Sequence, residues 1–393
     1  MRGAARRNGR PAPRGAALGE RPPQRAMTRA DACDDCLRRT ALIAALAPHL
    51  DVEWRRRSAP SRVLSLPTDA LIALDRTGRA GLAHAAFSPD RARDRITVAG
   101  MAAACRCSGR YPERLRDLPD PPAVLHVAGD PTALERSDAV AIVGARRGTA
   151  YGLEVARSLG RGLTAAGLPV VSGMAMGVDS AAHVGALEHP GHSAAAPVAV
   201  LAGGADIAYP PSRRRLHARL IECGCVVSEL PPGFRAYRWC FVARNRLIAG
   251  LAALTVVVEA GERSGSLTTA DFAAQLGRPV AAVPGPVTSR FSAGTNALLA
   301  AGAGVVRDTR DVLDQLLGPD APVTAPAPPA VPIEPRLRRL LDAVERGHGS
   351  LAELTGDPDA ARQVLQDLTD LELRGLVRRE FGGRYVRAHE GRR

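Results

Sequence analysis

Between about residues 123 and 318, short β-branched runs alternate with longer stretches whose apolar positions recur at helical spacing. The runs are Val140–Val143, Val170-Val171, Val198–Leu201, Val226-Val227, Thr255–Val258, Val280–Val283 and Val305-Val306. Helices are predicted between and after them at Tyr151–Ala166, Val178–Leu187, Arg213–Glu222, Arg244–Leu251, Leu267–Leu276, Asn296–Ala301 and Arg310–Leu317. Strands this short and this apolar are the kind buried on both faces, and their alternation with helices implies βαβ units around a parallel sheet. The predicted class is α/β, a Rossmann-like doubly wound, mostly parallel sheet.

The flanks carry different patterns. Residues 31–115 are predicted to be a small helical domain, with apolar positions at helical spacing through Cys36–Leu46, and Pro119, Pro121 and Pro122 close it. The Rossmann-like domain is therefore placed at 116–318. Residues 319–335 form a Pro/Ala-rich, extended linker. Residues 336–388 read as helix, helix–turn–helix and a hairpin with a Gly-Gly turn, the order of a winged-helix domain. Residues 1–30, rich in Arg, Pro and Gly without apolar periodicity, are expected to be a disordered basic extension, with Met27 the true first residue.

Composition narrows the chemistry. Hydrophobic residues make up 46% of the chain and aromatics only 3%, so the core must be aliphatic. All 53 basic Lys+Arg positions are Arg. Without Lys there is neither a Walker A phosphate loop nor a Schiff base, which excludes P-loop ATPases and pyridoxal-phosphate enzymes. The formal net charge is +13, but residues 1–30 hold eight Arg against one Glu, more than half of that excess. Any polyanion site on the folded body must be a local cluster. No long apolar run or export signal is present, so the expected location is cytoplasmic, away from membranes. The seven Cys then read as reduced thiols.

Ligands of open α/β sheets bind at the carboxyl ends of the strands. The first end, Val143-Gly144-Ala145-Arg146, lacks the dinucleotide glycine spacing and offers a guanidinium where a pyrophosphate would lie; the amides opening the next helix also favour an anion. The second, Ser172-Gly173-Met174-Ala175-Met176-Gly177, leads to Asp179 and to His183, a structural rather than a catalytic histidine. Arg213-Arg214-Arg215 open a later helix. From Phe234 to Arg246, four aromatics interleave with Arg235, Arg238, Arg244 and Arg246, the composition of a single-strand binding groove. Ser264-Gly265-Ser266 suits phosphate held by backbone amides. Cys33-x-x-Cys36 and Cys105-x-Cys107 together offer four thiolates for zinc, but Cys-x-Cys is an unusual spacing and the expectation is no metal and no cofactor.

Taken together, Val143-Gly144-x-Arg146, Ser172-Gly173-x-Ala175-x-Gly177-x-Asp179-x-x-Ala182-His183, Gly204-x-Asp206-x-x-Tyr209-Pro210, Ser228-Glu229, Phe241-x-x-Arg244-Asn245-Arg246-x-Ile248-x-Gly250, Ser264-Gly265-Ser266, Pro284-Gly285 and Gly294-x-Asn296 resemble the DNA-processing protein A (DprA/Smf) family over roughly residues 105–318. The resemblance implies a cytosolic protein without catalytic activity that binds single-stranded DNA during natural transformation. It also implies a homodimer through the Rossmann-like domain and loading of the recombinase RecA onto incoming strands. The expected DNA-binding set is Arg146, Ser172, Gly173, Phe234, Arg244, Asn245, Arg246, Ser264, Gly265 and Ser266. Ala145, Val242 and Arg213 depart from the family's usual Ser, Pro and Asn. Two other classes fit less well. A phosphoribohydrolase-type nucleotide enzyme needs a Pro-Gly-Gly-x-Gly-Thr-x-x-Glu loop that is missing. A winged-helix regulator needs a basic tail, whereas residues 331–393 hold 12 Arg against 11 acids.

Overall fold

The computed structural model describes residues 31–57, 63–188, 195–319, 334–355, 361–373, 376–379 and 383–387. The expected basic extension 1–30, the Met27 start and nearly all of the linker 319–335 lie outside the described residues.

One nine-stranded sheet organises the body: β1 (Ala102–Cys105), β2 (Val124–Gly129), β3 (Val140–Val143), β4 (Val170–Ser172), β5 (Val198–Val200), β6 (Cys225–Ser228), β7 (Leu254–Val257), β8 (Val280–Ala282) and β9 (Gly304–Val305). The order is β1-β2-β6-β5-β4-β3-β7-β8-β9. The seven predicted runs are all strands, and they pair in parallel from β6 through to β9. Two antiparallel strands extend the β6 edge, β2 on β6 and β1 on β2. β1 corrects the expectation of an all-helical segment to residue 115. Its Ala-Ala-Ala-Cys sequence has no β-branched residue, so pairing with Val124–Val127 imposes the strand against weak local preference.

The central strands are wholly buried because helices cover both faces. Along β3 the side chains alternate between two cores, Val140 and Ile142 joining Leu159 and Leu163, Ala141 and Val143 joining Leu247 and Ile248. Helix Arg238–Leu251 lies on the second face. Its start is fixed by helix Asp34–Arg57: Trp239 Nε1 donates to Ala47 O at 3.1 Å and the Arg238 amide to Asp51 Oδ1 at 3.0 Å. Trp239, Cys240 and Ala243 thus share a core with Leu42, Leu46, Leu50 and Leu71 of the N-terminal helices.

Near the C-terminus, helices Pro335–Glu345, Leu351–Leu354 and Ala361–Leu373 precede an antiparallel pair, Val377–Arg379 with Tyr385–Arg387. Ser350 and Glu353 form a capping box at the second helix. Leu337, Leu341, Leu368, Leu371 and Val377 build a core of their own. No helix among the described residues is long and apolar enough to cross a membrane.

Candidate nucleic-acid interface

From β3 the chain proceeds to β4 on one side of the sheet, while β7 pairs on the other. That reversal leaves a crevice at the carboxyl ends of the strands, the usual ligand position in such sheets. A cleft of about 530 Å³ opens there, lined by Gly144–Arg147 after β3, Ala175 and Asp179 after β4, Phe241, Arg244 and Asn245 from helix Arg238–Leu251, Arg263–Ser266 after β7, and Arg290 with Phe291. Arg146, Arg147, Arg263 and Arg290 are exposed along it. Arg146 lies 5.3 Å over the Phe241 ring and Arg290 lies 5.0 Å over Phe291. Tyr209 meets Phe241 at 5.0 Å between ring centroids, beside a smaller adjoining cavity. Cations and aromatic faces therefore share one wall.

Arg244 forms the floor. It is 6% exposed, and Nη1 donates to Val200 O at 2.6 Å. Gly173 admits it, since a Cβ at that position would sit 1.8 Å from Arg244 Nη1. Burial pushes the guanidinium pKa down to about 10, Asp179 opposing the fall and Arg146 adding to it. At neutral pH it remains a cation, and its Nε has no partner among the described residues. Burial likewise raises the Asp179 pKa against the pull of Arg244. A buried cation this sparsely paired suits an incoming anion.

Arg246 corrects an expectation. It is 2% exposed and bound to Asp120 (Nε–Oδ2 2.9 Å) and Glu229 (Nη2–Oε2 2.6 Å), so it cannot meet phosphate. Burial alone would lower its pKa, yet Glu229 and Asp120 hold it above the ordinary value. The helix begins at Arg238 and not at Arg244, so no free amides flank either arginine. Two residues of helix turn the chain by about 200°, which sends Arg244 and Arg246 to opposite faces.

Other expected residues divide similarly. Asn245 donates through Nδ2 to Gly265 O (3.1 Å) and Thr268 Oγ1 (2.7 Å), anchoring the Ser264–Ser266 loop at the cleft rather than facing into it alone. Ser264 and Ser266 share a 2.7 Å hydroxyl contact on that rim. Ser172 is fully buried, its Oγ bonded to Ile142 O at 2.6 Å, and so it does not reach the cleft. Phe234 packs against the Leu42–Trp239 core and Tyr237, and is absent from the cleft lining. Its place is taken by Phe241, one of the aromatics interleaved with arginines, and by Phe291, which the sequence reading does not single out; an aromatic beside Arg290 after a Pro-Gly-Pro turn is the available signal.

The helix start after β3 is also not free. Glu259 Oε2 accepts from the Thr149 amide at 2.8 Å and Oε1 from the Thr149 hydroxyl at 2.5 Å. A Cβ on Gly152 would come within 2.3 Å of that carboxylate. The anion expected there is thus the protein's own. The cationic groups left lining the cleft are guanidinium groups, with the Ser264–Ser266 loop on its rim. Far from the cleft, the Sγ atoms of Cys33, Cys36, Cys105 and Cys107 lie within 4.8 Å of one another, a set able to hold a metal.

The family model described as DNA recombination-mediator protein A matches residues 102–317, from β1 to the helix Thr309–Leu317. A putative DNA processing protein DprA of Mycobacterium tuberculosis is 41% identical over 288 residues, 71% of this chain and 72% of the relative. The chain belongs to the DNA recombination-mediator protein A family. Its DprA/Smf relatives include the DNA processing protein DprA of Bacillus subtilis, 32% identical and covering 72% of this chain and 94% of that one. The X-ray structure of DprA from Streptococcus pneumoniae is similar with a TM-score of 0.57 at 28% identity, covering 72% of this chain and 96% of that chain. Family membership makes this a DNA-processing protein with a Rossmann-like sheet, and the matched segment contains every cleft residue named above.

Proposed function

We propose that the chain binds single-stranded DNA across the cleft between the ends of β3 and β7, without a catalytic step. The observation that carries this reading is the convergence of Arg146, Arg147, Arg244, Arg263 and Arg290 with Phe241 and Phe291 around one opening. Unpaired bases stack on aromatic faces and phosphates are neutralised by guanidinium groups, a combination that needs no base-specific readout. In this reading Arg146 and Arg263 track the backbone, Arg244 takes a phosphate at the floor, and Phe241 and Phe291 stack bases. Ser264, Gly265 and Ser266 add rim contacts to the phosphates.

The finer biology rests on the family. The protein would act as a homodimer through its Rossmann-like domain, protect incoming strands during natural transformation and load RecA onto them. The C-terminal helices and hairpin would be a winged-helix domain with a protein-binding or weak duplex-binding role, in keeping with the tail's near-neutral charge.

A salt titration of binding to single- and double-stranded oligonucleotides tests the reading. The expected outcome is tighter binding to single strands, with a log–log salt slope of roughly −0.7 per phosphate contacted. Equal affinity for both forms, or single-strand binding unchanged when Arg146 and Arg263 are both replaced by Ala, overturns it.

A further inference from the structure

We propose that Cys33, Cys36, Cys105 and Cys107 form a tetrathiolate zinc(II) site that pins the N-terminal helical segment to the edge strand of the sheet. The four Sγ atoms lie mutually within 4.8 Å, and those of Cys36 and Cys107 are 3.7 Å apart. Tetrahedral zinc with Zn–S bonds of about 2.3 Å sets its sulfurs roughly 3.8 Å apart, so small side-chain rotations close the shell. All four sulfurs are free and mutually within reach of a single ion, whereas two disulfides would gather them into two separate pairs. Four soft thiolates with no oxygen donor among them favour zinc over the hard cations.

The surrounding backbone is arranged around this point. Asp31 adds to β1 beside Ala104, its amide donating to Ala103 O at 3.1 Å, and its carboxylate pairs with Arg110 at 2.6 Å. That docking brings Cys33-x-x-Cys36, at the start of helix Asp34–Arg57, against Cys105 at the end of β1. The Cys33 amide then donates to Cys105 Sγ at 3.5 Å, a contact that strengthens as the sulfur gains negative charge. A turn closed by the Ser108 amide on Cys105 O at 2.8 Å brings Cys107 back to the cluster, which makes the short Cys-x-Cys spacing workable. Cys36 and Cys105 are buried whereas Cys33 and Cys107 are exposed, so metal enters from the solvent side. The expectation of no metal, drawn from that spacing, is replaced by this one.

The test is metal analysis of the full-length chain, purified under reducing conditions without chelator or metal-affinity resin. The expected result is one zinc per chain that survives dialysis, is lost in Cys107→Ser, and is retained in Cys223→Ser, an exposed cysteine outside the cluster. Exchange with cobalt(II) should give thiolate charge-transfer and tetrahedral d–d bands. Should Cys107→Ser fail to fold, that cobalt spectrum of the unmodified chain decides. Absence of metal after incubation with zinc, a metal other than zinc, a cobalt spectrum without thiolate bands, or disulfides among these four cysteines in the folded chain overturns the proposal.

Discussion

Arg244 and Arg246 leave one helix on opposite faces, and although each keeps one buried nitrogen without a partner among the described residues, their surroundings differ. On one side Arg246 meets Asp120 and Glu229 at 2.9 and 2.6 Å, a triad closed to solvent. On the other, Arg244 donates to a carbonyl at 2.6 Å, has the charge of Asp179 to oppose its burial, and opens onto a cleft edged by further arginines. Desolvation of a cation costs about the same on either face. One face offsets it with two carboxylates in direct contact, the other with a carbonyl and the charge of Asp179, so residue type alone cannot separate the two settings.

The largest effect should come from breaking the internally paired face. Arg246→Met strands Asp120 and Glu229 without their cation and should lower stability by about 3–5 kcal/mol, read by urea or thermal unfolding. Glu229 already has a raised pKa through burial, opposed by Arg246. Single-strand binding by the remaining folded protein should keep its salt slope. A slope that falls by roughly 0.7 with stability unchanged would instead put Arg246 on the phosphates.

The open face should respond in the opposite way. Arg244→Gln is expected to weaken single-strand binding by about 1.5–3 kcal/mol, the range for hydrogen bonds to charged groups, and to reduce the salt slope by roughly 0.7. Unchanged binding would reduce Arg244 to a structural residue like its neighbour. Phe241→Ala should cost ~1–3 kcal/mol of affinity with no change in slope, because a stacked base carries no counterion term.

A pH titration extends the contrast, since the interior holds buried groups that are neutral as well as charged. His183, one turn beyond Asp179, and His126 of β2 are both held near pKa 4 by burial, against an ordinary 6.5. Depressed bases take up protons more readily in the unfolded chain. Stability is therefore complete above about 6.5 and is lost as pH falls toward 4, by at most about 1.4 kcal/mol per pH unit for each histidine. His183→Asn should flatten that dependence by up to half in urea unfolding between pH 6.5 and 4. An unaltered profile would mean that His183 is not the group titrating.

Much of the frame is legible in the sequence, and the failures have identifiable causes. Val140–Val143 and Thr255–Val257 announce themselves because strands covered on both faces must be uniformly apolar. Ala102–Cys105 does not, since a strand held by its neighbour needs no β-branched residue of its own. Arg146 lies after a strand end and lines the crevice, and Arg244 lines it too, though from the middle of its helix rather than from a helix start. Arg246 escapes the sequence through helix phase: a helix predicted to start at Arg244 hides the fact that both arginines lie within a longer helix beginning at Arg238, which sends them to opposite faces. Nothing local in the sequence marks Glu259 as a carboxylate that caps a helix 110 residues earlier in the chain.

Phe234 should give the smallest effect, and it bears most directly on how aromatics divide between the two environments. It stands four residues before Arg238 in a Pro-Gly loop where an exposed ring would suggest a base-stacking role. The ring is half-buried, 6.1 Å from Tyr237 and packed with Trp239 and Leu42 against the N-terminal helices. The backbone of the same residue braces the Gly203-Gly204 turn, Phe234 O accepting from the Gly204 amide at 2.9 Å, and no substitution of the side chain removes that bond. Phe234→Leu keeps most of the apolar volume, so single-strand affinity should change by no more than about 0.5 kcal/mol and stability by less than about 1.5 kcal/mol. Phe241→Leu, an equal change in volume on the cleft wall, should lose affinity with little loss of stability. If instead the two variants weaken binding equally, the Phe234 loop lies on the DNA path and the groove extends beyond the cleft, over the seam between the sheet and the N-terminal helices.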